Sequence, residues 1–132
     1  MADIPKFRIA ARSTLFVAVM LLGNMALQAN ESKMDAEIDF LLDTVVTSNC
    51  VFVRNGSEHK AEAARDHLQM KRKRGKRYFD NAEEFIEKIA SQSSWTGKDY
   101  LIQCGDEPQQ TAKSWFAALL HKYRQARQKI EP

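Results

Sequence analysis

Cys50-Val51-Phe52-Val53-Arg54-Asn55-Gly56-Ser57 is the stretch on which the fold turns. Cys50 to Arg54 is short, β-branched and aromatic, the composition of a strand. Asn55-Gly56 is a strong turn signal and stops it. Ser57 then offers a hydroxyl that can cap a second helix, predicted from Glu58 to about Arg74. A run of the same character, Tyr100-Leu101-Ile102-Gln103-Cys104, lies some 50 residues on. Pairing 50–54 with 100–104 gives a two-stranded sheet with a cysteine on each strand. An isolated ribbon of that size is marginal in water, so helices and a crosslink must supply what a larger sheet would.

The helices are read from apolar spacing. The first is predicted from about Lys33 to Thr47, with Met34, Ile38, Leu41, Leu42, Val45 and Val46 on one stripe and Ser32 as its cap. The second has a thin apolar face, Ala61, Ala64, Leu68 and Met70, and ends at Gly75. The third begins at Asp80, with Glu83 three residues on in the manner of a capping box. Its stripe is Ala82, Phe85, Ile86, Ile89 and Ala90. Ser91 to Gly97 is a polar linker. The fourth helix starts near Thr111 and carries Ala112, Trp115, Phe116, Leu119, Leu120 and Tyr123; the polar tail is expected to fray from about 126. The fold class is α+β and mostly helical, in the order α-β-α-α-β-α, with about four amphipathic helices, a short two-stranded sheet and one disulfide.

Residues 1–29 have the layout of a bacterial secretory signal peptide. Lys6, Arg8 and Arg12 form the basic n-region, Leu15 to Leu22 the apolar core, and small and polar residues lead to Ala29. The competing reading is an uncleaved anchor. An anchor needs about 20 apolar residues, and Asn24 and Gln28 interrupt the extension here. Cleavage is expected after Ala29, with a cut after Ala26 as the alternative. Residues 30–132 then form one small globular domain, expected in the periplasm as a soluble monomer with no stable membrane span.

The whole chain carries 20 Lys+Arg and 17 Asp+Glu. Removing the leader leaves 17 against 16, so the basic balance of the precursor overstates that of the mature domain. In an oxidising compartment Cys50 and Cys104 read as a disulfide. A chain-entropy argument gives a crosslink of that span roughly 4 kcal/mol. Free or metal-binding thiols are the competing reading, without CxxC spacing to support them.

The run Lys71-Arg72-Lys73-Arg74-Gly75-Lys76-Arg77 has six charges in seven residues. It reads either as a patch for an anionic envelope ligand or as a solvated helix end favoured by the backbone dipole. Export argues against nucleic acid as the partner. His59 and His67 are placed on the second helix eight residues apart, about 80° off a shared face. No HExxH or CxxC supports a metal site, and no cofactor is expected. No GxSxG or SxxK accompanies the serines. His67 is the weak catalytic candidate. Ser93-Ser94-Trp95-Thr96-Gly97-Lys98-Asp99-Tyr100 is the most distinctive loop. Trp95 either plugs the core or lies on a binding surface. Arg54 is not explained by its strand, whereas Asn55 is explained by the turn.

Several runs occur together: Phe52-Val53-Arg54-Asn55-Gly56, His67-Leu68, Lys71, Ala82-Glu83-Glu84-Phe85-Ile86, Ser93-Ser94-Trp95-Thr96-Gly97 and Tyr100-Leu101-Ile102. In combination they resemble the YfeK-like family of small exported bacterial proteins, a domain of unknown function. The resemblance spans roughly residues 35–125. It implies an envelope location and no particular chemistry.

The leading expectation is an uncharacterised soluble periplasmic binding or interaction module. Its partner would be an envelope protein or an anionic envelope ligand. Its surface is built from Arg54, Asn55, Lys71, Arg72, Lys73, Arg74, Trp95 and Tyr100. The alternatives are a small envelope-acting enzyme and an inhibitor of a secreted hydrolase. A concave pocket gathering His67, Arg54 and Ser94 would favour the enzyme; a flat aromatic and basic patch would favour binding or inhibition.

Overall fold

In a computed structural model of the chain, residues 13–130 are described. The expected n-region, Lys6, Arg8 and Arg12, lies outside them, as do the last two residues of the tail. The described residues divide into two compact units, one ending at residue 30 and the other beginning at residue 31. Helix α1 is Ser13–Thr47, longer at its N-terminus than the segment expected from Lys33. In the second unit, Met34, Ile38, Leu41, Leu42 and Val45 of α1 are buried as predicted, and Val46 at the end of the predicted stripe is half-buried.

Strand β1 is Val51–Arg54, followed by β2, Ser57–His59. Asn55 and Gly56 have φ of 51° and 79°. Two successive positive φ values make the tight turn that suits a hairpin's twist. The register is Arg54↔Ser57, Val53↔Glu58 and Phe52↔His59. This corrects two expectations. Ser57 is a strand residue rather than a cap, and His59 lies on β2 rather than on a helix with His67. Helix α2 is Ala61–Gly75, with Lys60 at its N-cap and no side-chain cap bond.

Beyond α2 come a 3-10 turn, Lys76–Tyr78, and helix α3, Ala82–Phe85. The chain then continues as a π-helical turn, Ile86–Ala90. The capping box sits one residue later than expected. Asn81 Oδ1 accepts from Glu84 N at 2.8 Å, and Glu84 Oε2 accepts from Asp80 N at 3.0 Å. Strand β3 is Leu101–Gln103 and β4 is Gln110–Thr111. The sheet therefore has four antiparallel strands in the order β2-β1-β3-β4 rather than two. The expected central pairing holds, with Val51↔Gln103 and Phe52↔Ile102. Cys50 and Cys104 form the disulfide, their Cα atoms 4.3 Å apart.

Helix α4, Ala112–Gln128, is capped by Thr111, whose Oγ1 accepts from Ser114 N at 3.2 Å. It packs Ala112, Phe116 and Leu120 into the core beside Phe85 and Ile102. The tail expected to fray from 126 is helical to Gln128. Arg124 anchors this end. Its guanidinium meets Glu37 of α1 at 2.7 and 2.8 Å and also bonds Glu83 of α3. Glu37 is 5% exposed, so its carboxylate depends on that fork for solvation.

Gly75 is buried without a left-handed conformation. A Cβ there would stand 2.5 Å from Ile89 Cδ1. The missing side chain lets the end of α2 sit directly on the π-helical turn, an approach that a larger residue would push apart.

Replacing Arg124 by methionine strands the Glu37 carboxylate. An expected loss of about 2–4 kcal/mol follows, at or below the range for broken buried pairs because Arg124 is itself partly exposed. Urea unfolding checks this. Arg124→Lys should recover only part of the loss, because an ammonium cannot make the paired contact.

Candidate functional site

Leu68 fixes how α2 is turned, because it is the buried apolar residue of that helix. From that setting, His67, Met70, Lys71 and Arg74 fall at i, i+3, i+4 and i+7 on another face. This face forms one wall of an open groove of about 850 Å³. The β1–β2 turn contributes Arg54 and Asn55, and the linker before β3 contributes Ser94 and Trp95. Gly75, Ile89 and Lys88 line it where α2 meets the π-helical turn. Tyr100 also lines it and is 7% exposed.

Six of the eight proposed binding residues thus converge: Arg54, Asn55, Lys71, Arg74, Trp95 and Tyr100, joined by the catalytic candidate His67. Arg72 and Lys73 do not line the groove. Arg72 turns to α1, where it donates to Asp35 at 2.7 Å and to Asp39 at 2.6 Å. Its contribution is to clamp two helices. Lys73 is exposed. Sequence reasoning missed Lys88 as a lining cation, since it sits among core residues in the Ile86–Ala90 turn. Its charge opposite a buried Ile86 and Ile89 was the available signal.

Beneath the cations, Tyr100 organises a short hydrogen-bonded chain. Lys71 Nζ donates to Gln92 O at 2.7 Å and to the Tyr100 phenol oxygen at 3.3 Å. The phenol lies 3.2 Å from His67 Nε2. An ammonium only donates, so the phenol accepts from Lys71 and its own proton is free to go to His67. That arrangement needs neutral His67 with its proton on Nδ1.

The electrostatics agree. His67 is lowered to about 4, chiefly by desolvation and then by Arg54, Lys71 and His59. The desolvation has a visible source: a small apolar void of about 30 Å³, lined by Phe52, Leu68 and Phe116, reaches its ring. Lys71 is lowered to about 8 by burial and by Arg54. Burial raises the Tyr100 phenol, partly offset by Arg54. Basic groups here push one another towards neutrality. Among the described residues no Asp or Glu lines the groove. Among the described residues Arg54, Lys71 and Arg74 form no ion pair, whereas Lys88 pairs with Glu84 at 3.1 Å.

The loop at the rim is built firmly. Ser93 N donates to Lys98 O and Gly97 N to Ser93 O, both at 2.9 Å. Thr96 Oγ1 donates to Asn55 Oδ1 at 2.6 Å, tying the loop to the hairpin turn. Asn55 is therefore spent on positioning. Ser93 Oγ accepts from Thr96 N at 3.3 Å. Trp95 is 96% exposed, which decides for the surface against the core plug. Among the described residues no group of three or more His, Cys, Asp or Glu could hold a metal ion. No described helix is long and apolar enough to cross a membrane.

The family model described as "Family of unknown function (DUF5329)" matches residues 32–124. The "Uncharacterized protein YfeK" of Salmonella typhimurium is 39% identical over 84 residues, which cover 62% of this chain and 70% of that protein. No solved structure matches.

His67 should titrate near 4 rather than near 6.5 when its ring nitrogens are followed by NMR. Because the folded pKa is the lower one, the unfolded chain binds more protons between those values. Stability from this residue is complete above about 6.5 and falls away as pH drops towards 4. A midpoint close to 6.5 would contradict the buried, cation-flanked setting.

Proposed function

The chain belongs to the DUF5329 family of unknown function, and for it we propose the role of an exported binding module of the bacterial envelope whose groove captures an anionic ligand. The observation that carries this is the set Arg54, Lys71 and Arg74, gathered in one groove without an ion pair and without a lining carboxylate. Three cations placed together cost folding free energy through repulsion and partial desolvation. An incoming anion relieves both. The solvated-helix-end alternative accounts for Lys73, but it does not account for Arg54, which comes from a different element. Export is supported by the leader-like residues 1–29 and by the Cys50–Cys104 disulfide, a bond that persists in oxidising compartments.

A second function, an enzyme acting on envelope material, is favoured by one specific observation: the concave groove does gather Arg54, His67 and Ser94. Against a serine mechanism, the Nε2 of His67 is occupied by the Tyr100 phenol. His67→Ala separates the two functions. It should leave anion binding within a few-fold for a binding module, and abolish turnover of an envelope substrate for an enzyme.

Export is checked by fractionation of cells expressing the whole chain. The periplasmic species should begin at Asn30 and carry two protons fewer than its reduced form. Full-length protein retained in the cytoplasm, with free thiols, would overturn it.

Sulfate is the appropriate probe of the groove, since its charge does not change across the range of interest. An anion favours the charged form of Lys71, so binding takes up a proton as pH falls through about 8. Sulfate should bind more tightly at pH 6.5 than at pH 9.5 by calorimetry. Combining Arg54→Gln, Lys71→Gln and Arg74→Gln should lower the affinity at least tenfold, whereas Lys73→Gln should change it less than twofold. Equal losses from both sets would reduce the groove to a diffuse surface charge.

A further inference from the structure

We propose that the anion taken by the groove is a phosphate carried on a sugar ring, with Trp95 as the platform for the ring. This rests on the anion-binding reading and adds the body to which the charge is attached.

The first support is that the fold makes no use of the indole. The 93–98 loop is closed by its own backbone bonds and by Thr96 on Asn55. Gly97 supplies its positive φ of 70°. Among the described residues Trp95 enters no ring contact, and 96% of it faces water. A large apolar side chain held out on an ordered loop, at the rim of a cationic groove, is a contact surface without its contact.

Size comes next. A groove of about 850 Å³ is far larger than a phosphate, and falls in the range that encloses a small organic ligand. Its charged wall is made of donors: two guanidiniums, two ammoniums and the Ser94 hydroxyl. The ligand must therefore be rich in acceptor oxygens and also present one flat apolar face. A sugar phosphate meets both requirements. Its C–H face lies against one aromatic surface, while its phosphate and hydroxyl oxygens accept from Arg54, Lys71 and Arg74.

An aromatic base is the rival body. Bases gain most from stacking on more than one surface. The other exposed aromatic of the groove, Tyr78, already has the Arg77 guanidinium 4.8 Å from its ring centroid. Among the described residues Trp95 is the aromatic of the groove with no cation set against its ring, and a single such platform suits a sugar better than a base.

Calorimetry of the disulfide-bonded protein with glucose 1-phosphate, inorganic phosphate, glucose, ribose 5-phosphate and AMP tests this. Glucose 1-phosphate should bind at least tenfold more tightly than inorganic phosphate, with AMP no tighter than ribose 5-phosphate and glucose alone weaker than inorganic phosphate. In Trp95→Ala the ratio of the two phosphate affinities should fall to within twofold of one, and Trp95→Phe should retain part of it. Both variants alter an exposed side chain, and an unchanged melting temperature would confirm that they fold. Equal binding of glucose 1-phosphate and inorganic phosphate, or an undiminished ratio in Trp95→Ala, overturns the sugar proposal while leaving the anion groove intact. A tenfold Trp95-dependent gain of AMP over ribose 5-phosphate overturns it in favour of a base. Failure of sulfate and of every phosphate to bind overturns the groove itself.

Discussion

Cys50 and Cys104 sit opposite one another at the open ends of β1 and β3, and the rest of the molecule is arranged around that join. The crosslink fixes a register that the side chains also favour, since Phe52 and Ile102 are paired and buried two residues further along. Slipping the strands by one residue would move both to the opposite face. With the register fixed, Arg54 at the far end of β1 and Tyr100 just before β3 line the same groove. A four-stranded sheet whose strands are two to four residues long has little cooperativity of its own. The disulfide and the helices that cover the sheet provide what it lacks.

Helix α2 shows how one basic run serves separate purposes. Leu68 sets the face that meets the core. Arg72, four residues on, reaches Asp35 and Asp39 and draws α1 against α2. Lys71 and Arg74, on another side, face the groove. Lys73 remains in solvent, where a cation near the helix C-terminus is favoured by the dipole. Four like charges in a row, Lys71 to Arg74, are therefore divided by helical geometry into a clamp, a groove wall and an exposed end.

Much of the architecture was legible because it depends on spacing. The α3 stripe is buried throughout, those of α1 and α4 are buried except for the half-buried Val46, Trp115, Leu119 and Tyr123, and the central strand pair follows from two runs bounded by cysteines. The misses have particular causes. Ser57-Glu58-His59 has no strand composition, so its role comes from the Asn55–Gly56 turn, which forces the chain back along β1. Asn55-Gly56 is itself a hairpin signal, and giving Ser57 a capping role concealed it. A π-helical turn at Ile86–Ala90 leaves the apolar spacing intact and so is invisible to periodicity. The cap falls on Asn81 rather than Asp80 because neighbouring residues have nearly the same capping chemistry. For the site, residue types were readable but faces were not. Arg72 could be told from Lys71 and Arg74 only once Leu68 had set the rotation of α2.

The register Val51↔Gln103 also has a temporal consequence. The β1–β2 hairpin closes locally, whereas β1 must wait for a partner some 50 residues further along the chain. Contacts of such separation form late, since the loop between them must first lose its freedom. The groove spans that late seam, with Arg54 and Asn55 on one side and Trp95 and Tyr100 on the other. Recognition is thus withheld from a half-assembled chain, even one whose helices are already in place. An occupant of the groove would bridge the two sides and favour the finished state by mass action.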